Sequence, residues 1–227
     1  MIAAIIVGYD DAALLRGCLD SLAPFGWPAL YLDGAWSLYP ARDWRSPAPE
    51  LAAVLEGREV IALPARSEGP WSSEAEKRSV ALAEAWDKRL HLREPKWYLW
   101  LDADERVEGD PAAVMADLTS HPESVWANVN IYRPDHVWAP AGFWLPRLLR
   151  AHPLLRHEPP TDYRVYRGAE RIAYLDGEAV PPSMVGRYHH VPTSALRLRH
   201  ERGQRPAARA NDNGFYQRAR RARYGTA

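Results

Sequence analysis

The chain opens on an unbroken apolar run, Ile2-Ala3-Ala4-Ile5-Ile6-Val7. Such a run reads as a strand buried on both faces. Gly8-Tyr9-Asp10-Asp11 interrupts it, and Asp10 or Asp11 supplies a cap for the helix that follows. Leu14, Leu15, Cys18, Leu19 and Leu22 recur at helical spacing until Pro24 and Gly26 stop the helix. Ala29-Leu30-Tyr31-Leu32 reads as a second strand, ending at Asp33-Gly34. Strand, helix, strand is the opening of an α/β fold with a parallel sheet.

The pattern resumes after an aromatic, Pro-containing loop from Ala35 to Pro49. Glu59 to Leu63 reads as a third strand. Ser72 or Ser73 caps a long helix, and Glu76 lies three residues after Ser73, as in a capping box. Its apolar stripe reads through Val80, Leu82, Ala83 and Trp86. Trp97-Tyr98-Leu99-Trp100-Leu101 is a fourth, strongly apolar strand that runs into Asp102-Ala103-Asp104-Glu105. A short helix is expected from Pro111 to about Leu118. Strands are expected over 125–132, 143–149 and from Ser194 to Arg199, the last ending at His200. A basic helix is expected from Phe215 to Arg223. The stretch from His152 to Val180 has no dominant period, and no internal repeat is visible.

Composition narrows the class. With 227 residues, 47% apolar and 26% charged, the chain suits one globular domain with a substantial core. The single cysteine, Cys18, excludes an intrachain disulfide framework and a Cys-based zinc cluster. No apolar stretch approaches the roughly 18 residues of a membrane span, and the N-terminal run lacks the basic start of a signal peptide. A cytoplasmic protein with at most peripheral membrane contact is expected. Formal net charge is zero but unevenly spread: nine Arg against Glu201 and Asp212 give +7 from Arg197 onward, and −7 elsewhere. Residues 201–227 therefore form a basic appendage, either a solvated helix or a binder of phosphates or nucleic acid.

Asp102 and Asp104 carry the candidate chemistry. In open α/β sheets, ligands bind outside the carboxyl ends of the strands. In extended backbone, residues two apart point the same way, so both carboxylates are expected to face one site. Close carboxylates repel unless a cation lies between them. A hard divalent ion, Mg²⁺ or Mn²⁺, suits oxygen ligands and bridges to phosphates. A D-x-D phosphatase of the dehalogenase type would place the motif near the N-terminus and follow it with Thr or Val. A nucleotidyltransferase would carry a Gly-rich loop where "VGYDD" has one Gly. A nucleic-acid-binding protein would use the Arg-rich tail with aromatic stacking.

Four segments in order, "VGYDDAALLRGCLDSL", the strand ending at Asp33-Gly34, "EAEKRSVALAEAW" and "WYLWLDADERV", resemble the GT-A fold of family 2 glycosyltransferases over about the first 110 residues. "LPRLLRAHPLLRHE" and "LRLRHERGQRPAARANDNGFYQRAR" resemble segments of the lipopolysaccharide-type members of that family. The resemblance implies a mixed, mainly parallel Rossmann-like sheet over residues 1–200. Residues 1–110 would be the nucleotide half and 111–200 the acceptor half. It implies transfer of a sugar from a nucleotide-sugar donor, most commonly a UDP-sugar, with inversion. The acceptor would be a glycan, a lipid-linked saccharide, a protein side chain or modified DNA.

The resemblance also implies roles. Tyr9 and Asp10 would line the nucleotide pocket, and Asp33 would contact base or ribose. Lys77 or Arg78 would lie near the diphosphate. Asp102 would bind ribose or metal, Asp104 metal, and His200 the metal or the diphosphate. Glu158 would be the general base, with Asp162 and Asp135 as the other carboxylates available for that work. Apart from the resemblance, His189 and His190 are adjacent and point to different sides if extended, so one of them could line the acceptor pocket. Asp33-Gly34 also fits a plain turn.

Overall fold

The structure is a computed structural model. It describes residues 1–9, 11–36, 44–133, 142–158, 161–174 and 178–201, without the side chains of 161–163. Asp10, Asp135, the expected helix from Phe215 and nearly all of the basic tail lie outside these residues.

Along the chain the elements are β1 (Ile2–Val7), α1 (Ala12–Leu22), β2 (Ala29–Leu32), α2 (Ala48–Leu55), β3 (Val60–Leu63), α3 (Glu74–Asp87) and β4 (Trp97–Asp102). After them come β5 (Glu105–Gly109), α4 (Pro111–Ser120), β6 (Trp126–Tyr132) and β7 (Phe143–Arg150). β8 (Leu155–Glu158), β9 (Thr161–Arg167), β10 (Glu170–Ala173), β11 (Tyr188–His190) and β12 (Leu196–His200) complete the described part. The expected architecture is the one found: a mixed, mainly parallel sheet flanked by helices. The nine-stranded sheet has the order β3-β2-β1-β4-β7-β6-β12-β5, with β11 joined to β6. β8, β9 and β10 form a separate antiparallel sheet.

Alternation along β1 shows why the sheet is covered on both faces. Ile2, Ala4 and Ile6 pack with Leu15, Leu19 and Leu22 of α1 and Val114 and Leu118 of α4. Ala3, Ile5 and Val7 pack with Leu82 and Ala85 of α3. Burial of these side chains, at about 25 cal/mol per Å² of apolar surface, is the main force holding the layers together.

Local signals set the helix ends. Ser73 Oγ accepts from the Glu76 backbone N–H at 3.0 Å, starting α3 as expected. The reciprocal half of the capping box is displaced by one residue: the Glu76 carboxylate accepts from Ser72 N at 2.7 Å. Asp110 caps α4 through Ala112 N, with Pro111 in the first turn. Asp11 is the N-cap of α1 by position, without a side-chain cap hydrogen bond.

Three expectations need correction. The buried stripe of α3 runs through Ala75, Lys77, Arg78, Ala81, Leu82 and Ala85, and Ala83 faces solvent. Two charged residues thus occupy the inner face, because each finds polar partners beneath the helix. Asp102 and Asp104 are not two positions of one extended strand. β4 ends at Asp102 and the chain turns at Ala103-Asp104 before β5, because β5 must leave β4 to pair with β12. The segment from Ala35 to Pro49 is not loop throughout, since α2 begins at Ala48.

Candidate functional site at the carboxyl edge of the parallel strands

β1, β2, β3 and β4 run parallel and end together. Val7 is aligned with Leu32 on one side and Asp102 on the other, and Leu32 with Leu63. Strand order reverses between β1 and β4, so this edge contains the topological switch point at which open α/β sheets bind ligands. Asp102 stands on it. β12 is parallel to β6 and pairs His200 with Glu105, which brings His200 to the same edge.

Asp102 is held by two cations. Its Oδ1 accepts from Arg78 at 2.7 Å and its Oδ2 from Arg147 at 3.0 Å. Arg147 also donates to Glu105 at 2.6 Å, and Glu105 accepts from the Asp102 backbone N–H at 2.9 Å. Arg78 lies over Trp100 and is bound by Glu74 at 2.6 Å. Arg78 and Arg147 are buried, whereas the Asp102 side chain keeps 26% of its surface exposed. The guanidiniums therefore lie behind Asp102, and the carboxylate is the part of the network that faces the edge. Burial alone would raise the Asp102 pKa, but Arg78 and Arg147 outweigh it and hold the group well below the usual carboxylate range. Asp102 is an ionised acceptor at any physiological pH. Glu105 is fully buried, and burial pushes its carboxyl up against the pull of Arg147.

Lys77 joins the loops that follow β1 and β2. Its Nζ donates to Gly8 O and Gly34 O, each at 2.6 Å, and the side chain is fully buried. Burial draws its ammonium down to about 7, with Asp33 and Glu74 opposing. Asp33 is buried as well. It accepts from Tyr31 Oη at 3.1 Å and Ser46 N at 2.9 Å, tying the segment before α2 back to β2. Tyr9 is half-buried just after β1.

Asp104 is buried in the turn, with Oδ1 3.7 Å from His200 Nε2. The Asp104 carbonyl accepts from Glu201 N at 2.8 Å, and Glu201 pairs with Arg106 at 2.9 Å. Oxygen and imidazole donors of this kind suit a divalent ion. One guanidinium donor to each oxygen leaves the Asp102 carboxylate with lone pairs directed elsewhere. Among the described residues, Asp102, Asp104 and His200 do not gather their ligand atoms within 4.8 Å of one another.

Glu158 ends β8, partly exposed and ion-paired with Arg156. The backbone N–H of its neighbour His157 donates to Ser79 Oγ at 2.8 Å, and the His157 ring packs on Trp100. Glu158 thereby lies close along the chain to contacts with α3, next to the Arg78 network. Asp162 is in β9, its side chain outside those described. His189 and His190 lie in β11; His189 is buried and His190 exposed, with the His190 ring 4.7 Å from Trp144. Arg147 and Glu105 were not legible as site residues. A single charged residue inside the apolar run of β7 was the available signal for Arg147.

No protein-family model matches the chain, and no curated protein matches it. Among solved structures it is similar to S. aureus TarS, at 15% identity and TM-score 0.49, over 88% of this chain and 36% of that one. It is similar to S. aureus TarS 1-349 in complex with UDP-GlcNAc, at 15% identity and TM-score 0.43, over 59% of this chain and 35% of that one. A mannose-1-phosphate geranyltransferase from Thermus thermophilus matches at 16% identity and TM-score 0.34, over 66% of this chain and 50% of that one. The chain spans about a third of the length of the TarS chains it matches.

Proposed function

We propose that the chain is a glycosyltransferase that uses a nucleotide-sugar donor, with UDP as the nucleotide. The observation that carries this reading is the placement of Asp102 at the switch point between β1 and β4, ionised and clamped from behind by Arg78 and Arg147. A carboxylate there is suited to accept from ribose hydroxyls, while Tyr9 and the loops stapled by Lys77 shape the nucleotide pocket. Asp33 positions the pocket wall through Ser46. Asp10, next to Tyr9 in the chain, is the further candidate for that pocket.

Asp104 and His200 would hold Mn²⁺ or Mg²⁺, which when bound supplies positive charge to the leaving diphosphate without a proton. Glu158 takes the proton of the acceptor hydroxyl as that oxygen attacks the anomeric carbon, giving inversion. Asp162 is the alternative base. The acceptor class is a saccharide hydroxyl, with modified DNA favoured only if the basic tail binds duplex. Residues 1–110 form the donor half and 111–200 the acceptor half.

Incubation with UDP-sugars, each tested for slow release of UDP in the presence of Mn²⁺, tests the reading. At least one UDP-sugar is expected to be hydrolysed by the wild type and far more slowly by Asp102→Asn. Equal background release from wild type and variant across UDP-, GDP- and dTDP-sugars would remove it.

A further inference from the structure

A second cluster lies on the other edge of the sheet. Asp117, His121 and His189 bring one ligand atom each to within 4.8 Å of one another. Asp117 sits in the last turn of α4, and His121 is the C-cap of that helix, four residues on. That spacing places both on one helical face. His189 comes from β11, aligned with Ala127 near the start of β6. β6 and β4 are both antiparallel to β7, hence parallel to each other. The start of β6 is therefore at the edge opposite Asp102, and the cluster is separate from the proposed donor site.

The buried member already has a partner on each ring nitrogen. His189 Nε2 lies 2.8 Å from Asp117 Oδ2, and its Nδ1 lies 2.9 Å from Ser124 Oγ. A hydroxyl can accept as well as donate. Without an ion, Nε2–H donates to Asp117 and Nδ1 accepts from Ser124. With an ion between Nε2 and Asp117 the tautomer reverses and Ser124 Oγ accepts from Nδ1–H, the outer-shell contact that orients metal-binding imidazoles.

Each pair also has a non-metal explanation. His121 Nδ1 is 2.9 Å from Asp117 O and so satisfies a carbonyl of the last helical turn. The Asp117–His189 contact is by itself an ordinary hydrogen bond. Moreover, the His121 and His189 rings lie 4.0 Å apart and within 5° of parallel. Imidazole lone pairs lie in the ring plane, so one ion cannot lie in both planes as they stand. His121 must swing out of the stack to ligate. Its side chain is 44% exposed, which leaves room to turn.

We propose that Asp117, His121 and His189 form a site for a borderline transition ion such as Zn²⁺, clipping the end of α4 to β11. Two imidazoles and a carboxylate are a donor set zinc accepts, with the fourth position open. An ion that binds only the folded chain stabilises it by mass action. The donor reaction does not depend on the site.

The test is Zn²⁺ titration of the untagged, metal-stripped chain against a chromophoric chelator, repeated with Co²⁺ by visible absorption and followed by thermal unfolding with and without Zn²⁺. One equivalent should bind with a Kd of about 1 µM or tighter and raise the unfolding temperature. His121→Ala, a change at an exposed residue, should weaken binding by more than the roughly 10- to 100-fold that loss of an outer-shell partner costs and leave UDP binding intact. Substoichiometric uptake, or equal affinity in His121→Ala, would overturn the site. So would loss of the ion in Asp104→Ala but not in His121→Ala, which would assign it to the other edge.

Discussion

Replacing Arg147 with Met should destabilise the fold by about 3–5 kcal/mol in denaturant unfolding above about pH 8, where Glu105 is ionised, the usual cost of leaving a buried partner charge uncompensated. Arg147 is the guanidinium shared by Asp102 and Glu105, at 3.0 and 2.6 Å. Asp102 keeps Arg78, but the fully buried Glu105 has no other guanidinium partner among the described residues. The sign of the pH dependence follows from its raised pKa. A carboxyl whose folded pKa lies above its unfolded value contributes stability at low pH and loses it as pH rises through the folded pKa. The Glu105 carboxyl is pushed up to about 8 with Arg147 present and higher without it, so the variant's deficit should grow as the pH rises above about 8. Arg147→Met combined with Glu105→Gln should recover much of the loss, because the two side chains are coupled neighbours. If the double variant is as unstable as the sum of two independent losses, the ion cluster is not the cause.

Lys77→Met should weaken UDP binding tenfold or more while changing stability little at pH 7, because two effects oppose. The ammonium loses about 5 kcal/mol to desolvation if its pKa falls from 10.5 to about 7, and Met removes that penalty. Against this, Gly8 O and Gly34 O lose their shared donor, at about 1–3 kcal/mol for each buried acceptor left unpaired. What does not cancel is geometry, since the Lys77 ammonium is the bridge between the two loop carbonyls. A second consequence concerns pH. Between about 7 and 10.5 the unfolded chain binds more protons at this residue than the folded chain does. Wild-type stability should therefore gain a rising component across that window, absent from Lys77→Met. Equal UDP affinity in the two proteins would show that the loops keep their shape unaided.

Much of the first half was legible because its elements obey one dominant period. β1 and β4 are apolar throughout, and α1 repeats at helical spacing with Pro24 and Gly26 beyond it. β5 escaped notice because Glu105-Arg106-Val107-Glu108 shows too few apolar residues. It is a strand only because β12, about ninety positions on, supplies its partner. α2 was hidden by the Pro-rich loop before it, although Pro49 and Glu50 in its first turn are ordinary start signals. β8, β9 and β10 are short and rich in Arg, and among the described residues they pair only with one another.

The position of Asp102 at the end of β4 was legible from the apolar run before it. Roles were harder. Lys77 and Arg78 were visible as a charged pair on a helix, but burial of both depends on partners from β1, β2 and β4. Asp33 directly follows β2, as its position after an apolar run suggests, while its engagement by Ser46 follows from a loop return that no local pattern announces. The four-residue step from Asp117 to His121 can be seen in the sequence. His189, some seventy positions later, is brought to them only by the pairing of β11 with β6.

The central claim is that the carboxyl edge around Asp102 and Asp104 binds a nucleoside diphosphate with a divalent ion. Calorimetric titration of UDP, with and without Mn²⁺, on the wild type and on Asp104→Ala tests it most directly. Micromolar, Mn²⁺-dependent binding that is lost in the variant is the expected result. Absence of binding by UDP, GDP, CDP and dTDP alike would contradict the claim and turn attention to the Arg-rich tail and nucleic acid.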